Sequence, residues 1–161
     1  MQLYNKLSAE EHAKIIDEKS QKRVTLSFYK YFKIADPAFF RDRLFMLWSE
    51  LEVLGRIYVA NEGINAQLSV PKDKFEKFSS SIKQISLFKD IRLNIAREHY
   101  SKSFLKLTIK VRKKIVADGL NDDSFDVTQI GKHLNAEKFN EMLIDENTVC
   151  IDMRNHYESE I

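Results

Sequence analysis

The chain of 161 residues is long enough for one domain with a sizeable core and a smaller second piece. Its 43% hydrophobic and 31% charged content is ordinary for a globular protein, and no apolar run approaches the ~20 residues of a membrane-spanning helix. The single cysteine, Cys150, excludes an internal disulfide and a cysteine-rich metal site, and the polar start without a signal-peptide core favours a cytoplasmic protein.

The net charge of +2 combines two opposed parts of the chain. Residues 1–116 contain 23 lysines and arginines against 13 acidic residues, a balance of +10, whereas residues 117–161 contain 3 against 11, a balance of −8. This split predicts two units, of which the first is suited to binding a polyanion. A solvated surface explains the charge equally well, so charge alone leaves both interpretations open.

The first predicted elements are a helix and a strand. Ser8 and Glu11 have the spacing of a capping box and predict a helix over roughly 8–19, followed by a polar loop at 19–23. Apolar residues then alternate with polar ones, which predicts a half-buried strand. The apolar members of this strand are Val24, Leu26 and Phe28.

A longer helix follows the first strand. Asp36 before Pro37 supplies an N-cap and a proline at the first helical position, and Gly55 is predicted to end the helix. The apolar stripe of this helix comprises Phe40, Leu44, Leu47 and Leu51.

A hairpin, a second helix and two more strands complete the first unit. Alternation predicts strands around 57–59 and 64–70, joined by a turn in which Gly63 is free to adopt a positive φ. Pro71 is predicted to open the second helix. The apolar residues that define these elements are Phe75, Phe78, Ile82 and Ile85 in the helix, Ile91, Leu93 and Ile95 in the fourth strand, and Leu105, Leu107, Ile109 and Val111 in the fifth.

The order strand–helix–strand–strand–helix–strand, with one extra strand, is the split βαβ arrangement of ferredoxin-like folds. Two amphipathic helices are expected to cover one face of an antiparallel sheet and to leave the other face to solvent. The predicted fold class is therefore α+β. We place a helical extension at 1–22 and the ferredoxin-like domain at 23–120.

A second unit is predicted after a connector. The stretch 117–131 is rich in turn-forming residues, and we place a linker at 121–130. Asn135 is predicted to cap a helix, and Thr148–Asp152 is predicted to be a short buried strand in which Cys150 is a core residue. A lone helix and strand cannot bury their apolar faces, so 131–161 is expected to be the start of an incomplete domain. The apolar residues of its helix are Phe139, Met142 and Leu143.

The solvent face of the predicted sheet presents tyrosines among basic and amide side chains. Aromatic rings stack on bases at ~1–3 kcal/mol each, while lysine and arginine neutralise phosphates, so the pattern indicates a platform for single-stranded RNA. The alternative is a plain open sheet, in which tyrosine is a good strand former and the charges provide solubility. The candidate RNA-binding residues are Tyr29, Lys30, Tyr31, Arg56, Tyr58, Asn65, Lys106, Lys110, Arg112 and Lys114.

Other chemistry-bearing residue types offer weaker signals. The four histidines are scattered, and none has the i, i+4 spacing of a helical metal site. Asn61, Glu62 and Asn65 cluster at a tight turn, where a structural role is favoured. The sequence contains no catalytic triad order, Walker loop or dinucleotide fingerprint.

Four segments, taken in order, resemble one protein family. They are SFYKYF at 27–32, ANEGINAQ at 60–67, KVRKKIVADG at 110–119 and IDMRNHYE at 151–158. Their order and spacing over nearly the whole chain resemble the rhodanese-domain tRNA wobble-uridine hydroxylases. In this resemblance Asp152 and Arg154 match the Asp-x-Arg at the end of the first rhodanese strand.

The resemblance implies an acylphosphatase-like, ferredoxin-type domain followed by a rhodanese domain, of which 131–161 would be the start. It implies an enzyme that forms 5-hydroxyuridine at the tRNA wobble position with molecular oxygen, without a metal, flavin or other bound cofactor. The first domain would recognise the tRNA anticodon loop. The family's essential cysteine lies beyond Ile161 and is not matched by Cys150, so this chain is expected to be inactive by itself.

Three other functions stay open. A rhodanese-type sulfurtransferase acting on small thiols is the alternative for the intact protein, and a non-enzymatic RNA- or protein-binding module is another. A stand-alone acylphosphatase-like hydrolase would need a phosphate cradle of backbone amides and an arginine after the first strand. The segment 31–36 has no glycine and ends in an acidic cap, which argues against this hydrolase.

Overall fold

The computed structural model describes residues 4–18, 22–98, 100–116, 129 and 131–152. The chain divides into two compact units, Met1–Thr128 and Gln129–Ile161. The linker predicted at 121–130 lies outside the described residues, apart from Gln129. Within the described residues, none of the helices has the length and apolar character needed to cross a membrane.

The described part of the first unit contains three helices and five strands. The helices are α1 (Ala9–Glu18), α2 (Pro37–Glu50) and α3 (Phe75–Gln84), and the strands are β1 (Arg23–Tyr31), β2 (Leu54–Ala60), β3 (Gly63–Pro71), β4 (Asn94–Ile95) and β5 (Leu107–Val111). Short 3-10 turns at Lys72–Lys74 and Ser86–Phe88 flank α3.

The five strands form one sheet in the order β4-β1-β3-β2-β5. Strands β1 to β4 pair antiparallel in the order β4-β1-β3-β2 of ferredoxin-like folds, which confirms the predicted α+β fold. β5 lies on the opposite edge from β4 and pairs parallel with β2, so the expectation of a purely antiparallel sheet is wrong for this strand. The fourth strand is also shorter than predicted, because Ile91 and Leu93 pack against the core before pairing with β1 begins.

The hydrophobic core lies between one face of the sheet and helices α2 and α3. Phe28 of β1 contacts Trp48 and Phe88 edge to face, with ring centroids 6.3 and 6.0 Å apart. The predicted stripe of α2 is confirmed at Phe40 and Leu44. Trp48 occupies the next buried position because it lies eight residues after Phe40 on the same face of the helix, whereas the predicted Leu47 is only half-buried.

The helix starts follow the predicted capping signals. The Ser8 N–H donates to Glu11 Oε2 at 2.7 Å, and the Glu11 N–H donates to Ser8 Oγ at 3.1 Å, which is the reciprocal pair of a capping box. Asp36 accepts a hydrogen bond from the Phe39 N–H at 2.9 Å at the start of α2. Pro71 is the last residue of β3, so the prediction that it opens a helix is wrong.

Arg23 corrects the prediction of a polar loop at 19–23. It is the first residue of β1 and is only 3% exposed. Its guanidinium donates to Ser69 Oγ at 3.0 Å and to the Glu52 carbonyl at 2.6 Å, and so joins β1 to β3 and to the turn after α2. Burial lowers the pKa of Arg23 to about 10, which still leaves it charged at neutral pH.

The second unit contains α4 (Ala136–Leu143) in its described residues. Asn135 accepts a hydrogen bond from the Lys138 N–H at 2.9 Å, which confirms the predicted cap. The strand predicted at Thr148–Asp152 is wrong: within the described part of the unit this segment forms no strand, and the Thr148 N–H instead donates to the Asp145 carbonyl at 2.9 Å. Val149 and Cys150 are exposed, and Cys150 is therefore not the core residue that was predicted.

The turn between β2 and β3 anchors two other segments of the chain. The Asn61 side chain donates to the Ile34 carbonyl at 3.1 Å, next to the end of β1. Glu62 Oε1 accepts from the Ile115 N–H at 2.8 Å, and Asn65 Nδ2 donates to the Ile115 carbonyl at 3.2 Å. These bonds support the structural role favoured for this cluster, because they fix the chain where it leaves β1 and β5.

The prediction that Gly55 ends α2 is wrong, because Gly55 lies inside β2. A Cβ atom on Gly55 would lie 2.5 Å from both the Gln67 carbonyl oxygen and the Leu68 Cβ atom. The positive φ that ends a helix is instead adopted by Glu52, at 54°. Glycine is therefore required at position 55 because β2 and β3 approach too closely for a side chain.

Gly55→Ala is expected to lower the free energy of unfolding by ~1–3 kcal/mol, because the added methyl group overpacks the contact with β3. Urea unfolding followed by circular dichroism measures the change. Gly131→Ala is the matched control, since a Cβ atom there meets nothing within 4 Å. Equal midpoints for both variants would contradict the close approach of the two strands.

Glu62→Ala is expected to cost ~1–3 kcal/mol of stability, because it leaves the N–H of the buried Ile115 without an acceptor. Hydrogen exchange should show faster exchange of the Ile115 amide, with the core amides of β3 less affected. Glu50→Ala, which removes an exposed carboxylate at the end of α2, should change neither. Unchanged exchange at Ile115 in Glu62→Ala would show that the carboxylate does not hold this segment.

Candidate nucleic-acid interface

Four strands contribute one residue each to a row across the face opposite the helices. Tyr29 of β1 lies beside Asn65 of β3, which lies beside Tyr58 of β2, which lies beside Lys110 of β5. Directly opposite residues in a sheet have Cβ atoms about 4.5–5.5 Å apart, so these side chains are neighbours. We call these four residues the tyrosine row.

A second polar row runs beside the tyrosine row. It consists of Asn94, Ser27, Gln67, Arg56 and Thr108, in strand order from β4 to β5. Arg56 and Gln67 are exposed, and Ser27 and Thr108 are half-buried. The accessible face therefore carries amides, hydroxyls and a guanidinium next to the two tyrosine rings.

The aromatic rings of the face differ in accessibility. Tyr29 is 63% exposed and contacts Tyr31 edge to face, with ring centroids 6.4 Å apart. Tyr58 is half-buried, and the Arg112 guanidinium carbon lies 5.5 Å from its ring centroid. Tyr29 thus presents the open ring of the row, whereas Tyr58 already carries a cation–π contact.

The predicted basic residues lie along β5 and its extension. Lys106, Lys110 and Arg112 are exposed, and Lys114 is half-buried. In a parallel pair of strands, every second residue forms hydrogen bonds with the neighbouring strand. The Lys106 carbonyl accepts from the Gly55 N–H of β2, and the Arg112 N–H donates to the Val59 carbonyl of β2, each at 2.8 Å. Lys106, Lys110 and Arg112 thus have the same parity along the strand, as the sequence predicted.

Two candidate residues have other roles than expected. Lys30 has the parity of Phe28, so it lies on the opposite face from Tyr29, and its ammonium donates to the backbone carbonyl of Lys89. Asn65 lies in the row as predicted, but its Nδ2 is bonded to Ile115. The structure therefore does not bring Lys30 to this face. Because Asn65 Nδ2 is already bonded, a contact of Asn65 with a ligand would use its Oδ1 atom.

The accessible face is smaller than pleat alternation predicts. Arg23 and Ser69, which share the parity of the two rows, are buried against each other, and Thr25 is half-buried. Arg92 is exposed but precedes β4, so it is not a member of the sheet. Among the described residues of this face, the two rows and the basic residues in and beside β5 form the polar surface that stays accessible.

Sequence reasoning missed a pocket at the outer edge of β5. The pocket has a volume of about 310 Å³ and lies between β5 and α2. Its lining residues are Asn5, Arg41, Asp42, Phe45, Leu107, Thr108, Ile109 and Lys110. No sequence spacing predicts this group, because it depends on the parallel pairing of β5 and on the path of the chain before α1.

The histidines and the cysteine of the described residues do not belong to the tyrosine row. In the part of the chain that the structure describes, no group of three or more His, Cys, Asp or Glu residues lies together in a way that could hold a metal ion. His12 is engaged through Nδ1 with the Ser8 carbonyl at 3.0 Å. Cys150 is an exposed free thiol in the second unit.

The chain is similar to proteins of known family. A model of the UPF0176 acylphosphatase-like domain matches residues 23–115. Relatives named tRNA uridine(34) hydroxylase include those of Leptospira interrogans (52% identical over 159 residues), Pectobacterium carotovorum (48% over 160) and Yersinia pestis (46% over 165). Each match covers 99% of this chain but only 43–45% of the relative, so the chain spans less than half the length of these relatives.

The matched segment contains the whole sheet of the first unit: it begins at the start of β1 and ends at Ile115, four residues after β5. The domain model and the relatives together confirm the resemblance that the four sequence segments indicate. Because the domain model covers more than half of the residues, the chain belongs to the UPF0176 family, and its ferredoxin-like unit is the acylphosphatase-like domain of that family.

Proposed function

We propose that this chain is the tRNA-recognition part of a tRNA uridine hydroxylase, which would form 5-hydroxyuridine at the wobble position with molecular oxygen. The names of the relatives that align with 99% of the chain support a hydroxylase that modifies tRNA. The recognition role rests on one observation, the tyrosine row, in which a ring, an amide, a second ring and a cation follow one another across four strands.

Single-stranded RNA suits this row better than a duplex does. A duplex keeps its base faces stacked inside, whereas the unpaired bases of an anticodon loop can stack on exposed aromatic rings. Neighbouring strands are about 4.8 Å apart, so the row extends roughly 14 Å from Tyr29 to Lys110. That length accommodates more than one unpaired base, with Tyr29 as the most exposed stacking surface.

The charges beside the row supply the sequence-independent part of the binding. Lys110 on β5, and Lys106 and Arg112 directly before and after that strand, are exposed at the end of the row. Residues 1–116 carry a balance of +10, which attracts a polyanion over distances comparable to the Debye length. Phosphate neutralisation by these cations would release counterions, so the affinity for tRNA should fall steeply with salt.

We place the oxygen-dependent step outside the surface described here, in line with the resemblance, which assigns it to a cysteine beyond Ile161. Incubated alone with unmodified tRNA under air, residues 1–161 are therefore expected to form no 5-hydroxyuridine while still binding the tRNA. Mass spectrometry of the digested nucleosides measures the product. Formation of 5-hydroxyuridine at the wobble position by this chain alone would contradict the assignment.

Lys110→Ala and Tyr29→Ala should weaken tRNA binding with different signatures. Loss of Lys110 should reduce the slope of log K against log salt by about 0.7–0.9, the value for one lost phosphate contact. Loss of the Tyr29 ring should cost ~1–3 kcal/mol of binding free energy with little change in that slope. Fluorescence anisotropy with labelled tRNA at several salt concentrations measures both quantities.

Matched controls separate the row from general charge and aromatic content. Lys77→Ala removes an exposed lysine from α3, and Tyr100→Ala removes a tyrosine that is 69% exposed outside the sheet. Both should bind tRNA nearly as the unmodified chain does. If the row variants fold normally and bind no more weakly than these controls, the row is only a solvated sheet face and the recognition role is wrong.

A further inference from the structure

The pocket at the outer edge of β5 lies beside the tyrosine row. Lys110 belongs to both: it is the last member of the row and it lines the pocket. A strand of RNA lying along the row would therefore leave the sheet at Lys110, directly beside this opening. We call it the edge pocket.

The backbone of β5 directs hydrogen-bonding groups toward the edge pocket. Because Lys106 and Arg112 bond to β2, the alternate residues Leu107, Ile109 and Val111 direct their N–H and C=O groups away from the sheet. Asn5 occupies the first of these positions, since its side chain donates to the Leu107 carbonyl at 3.0 Å and accepts from the Leu107 N–H at 3.1 Å. The next outward N–H is that of Ile109, a lining residue of the pocket.

The residues that line the edge pocket together with Ile109 include two cations. Arg41 uses its Nε for an ion pair with Asp42, and its side chain remains 35% exposed. Arg41, Lys110 and Thr108, whose side chains carry hydrogen-bond donors, are all lining residues of the pocket. Asp42 is the single carboxylate among the lining residues, so the two cations leave the pocket with a net charge of +1.

We propose that the edge pocket binds a phosphate group of the RNA strand that lies on the tyrosine row, with Arg41 and Lys110 as the cationic contacts and the Ile109 N–H as a backbone donor. This inference rests on the proposed function and adds Arg41, a helix residue, to the recognition surface. Guanidinium groups bind phosphate oxygens in a fork geometry, and backbone N–H groups commonly assist them.

An extended peptide is the competing occupant, because outward N–H and C=O groups on an edge strand can pair with an added strand. Asn5 already occupies the outward position at Leu107, which shortens the edge open to an added strand to the Ile109 and Val111 positions. A single phosphate needs only the Ile109 donor and the two cations. The observations therefore favour the phosphate.

The test compares three single variants on α2. Arg41→Gln should weaken tRNA binding and reduce the salt slope by about 0.7–0.9, as expected for one lost phosphate contact. Asp42→Asn should strengthen tRNA binding, because it removes the negative charge beside the phosphate. Arg43→Gln is the matched control: it removes an exposed arginine from the same helix that does not line the pocket, and it should leave the slope unchanged.

The opposite signs at positions 41 and 42 distinguish a phosphate site from a structural ion pair. If Arg41→Gln and Asp42→Asn both weaken binding and both lower the thermal midpoint, the pair merely stabilises α2 and the inference is overturned. If Arg41→Gln matches Arg43→Gln while Tyr29→Ala still weakens binding, the edge pocket is not used and the proposed function stands. If Tyr29→Ala and Lys110→Ala also have no effect, the proposed function itself fails.

A second readout observes the pocket directly. In a nitrogen-15 NMR titration with single-stranded oligouridylate, the Ile109 amide should shift in the unmodified chain and shift much less in Arg41→Gln. An Ile109 amide that does not respond to oligouridylate would overturn the inference. A response to an acidic extended peptide without one to oligouridylate would assign the edge to a protein partner and would also overturn it.

Discussion

The hydrogen bonds of the turn between β2 and β3 are the interactions on which the surface of the first unit depends. Asn61 holds the chain after β1 through the Ile34 carbonyl, and Glu62 holds the chain after β5 through the Ile115 N–H. One tight turn therefore fixes two segments that are about 80 residues apart in sequence. Because Arg112 lies three residues before Ile115, the same anchor restrains the guanidinium over Tyr58.

The register set by this turn decides which side chains face outward. Side chains alternate along a strand, so a slip of one residue between β2 and β3 would exchange Tyr58 for a core residue such as Ile57. Gly55 reinforces the register, since only a residue without a Cβ atom fits against Leu68 at the other end of the pair. The tyrosine row is thus a consequence of backbone constraints that act at both ends of the hairpin.

Sequence alternation and capping signals predicted most of the first unit because they are local. The faces of β1, β2 and β3, the caps at Ser8 and Asp36, and the row members Tyr29 and Tyr58 all follow from periods of two residues or from spacings of three. Contacts distant in sequence were not predictable in this way. The burial of Arg23 depends on Ser69, 46 residues away. The parallel pairing of β5 requires the chain to cross from β4 at one edge of the sheet to β2 at the other. The strand predicted at 148–152 failed for a related reason, since an apolar pattern needs a partner strand and the described residues of the second unit contribute only a helix.

The contacts already made within the tyrosine row determine how it could bind RNA. A base that stacks on Tyr58 must displace Arg112, which costs about 0.5–1 kcal/mol at an exposed site, whereas stacking on a ring gains ~1–3 kcal/mol. The exchange is therefore favourable, and it frees the guanidinium for a phosphate. Asn65 behaves differently. If its Nδ2 left the carbonyl of the buried Ile115 to bond a base, that carbonyl would lose its hydrogen bond at a cost of ~1–3 kcal/mol, and the side chain would gain one hydrogen bond in return. We accordingly expect Asn65 to stay on Ile115 and to contact a base only through Oδ1, so the row would select unpaired bases by stacking and discriminate little between their hydrogen-bonding edges.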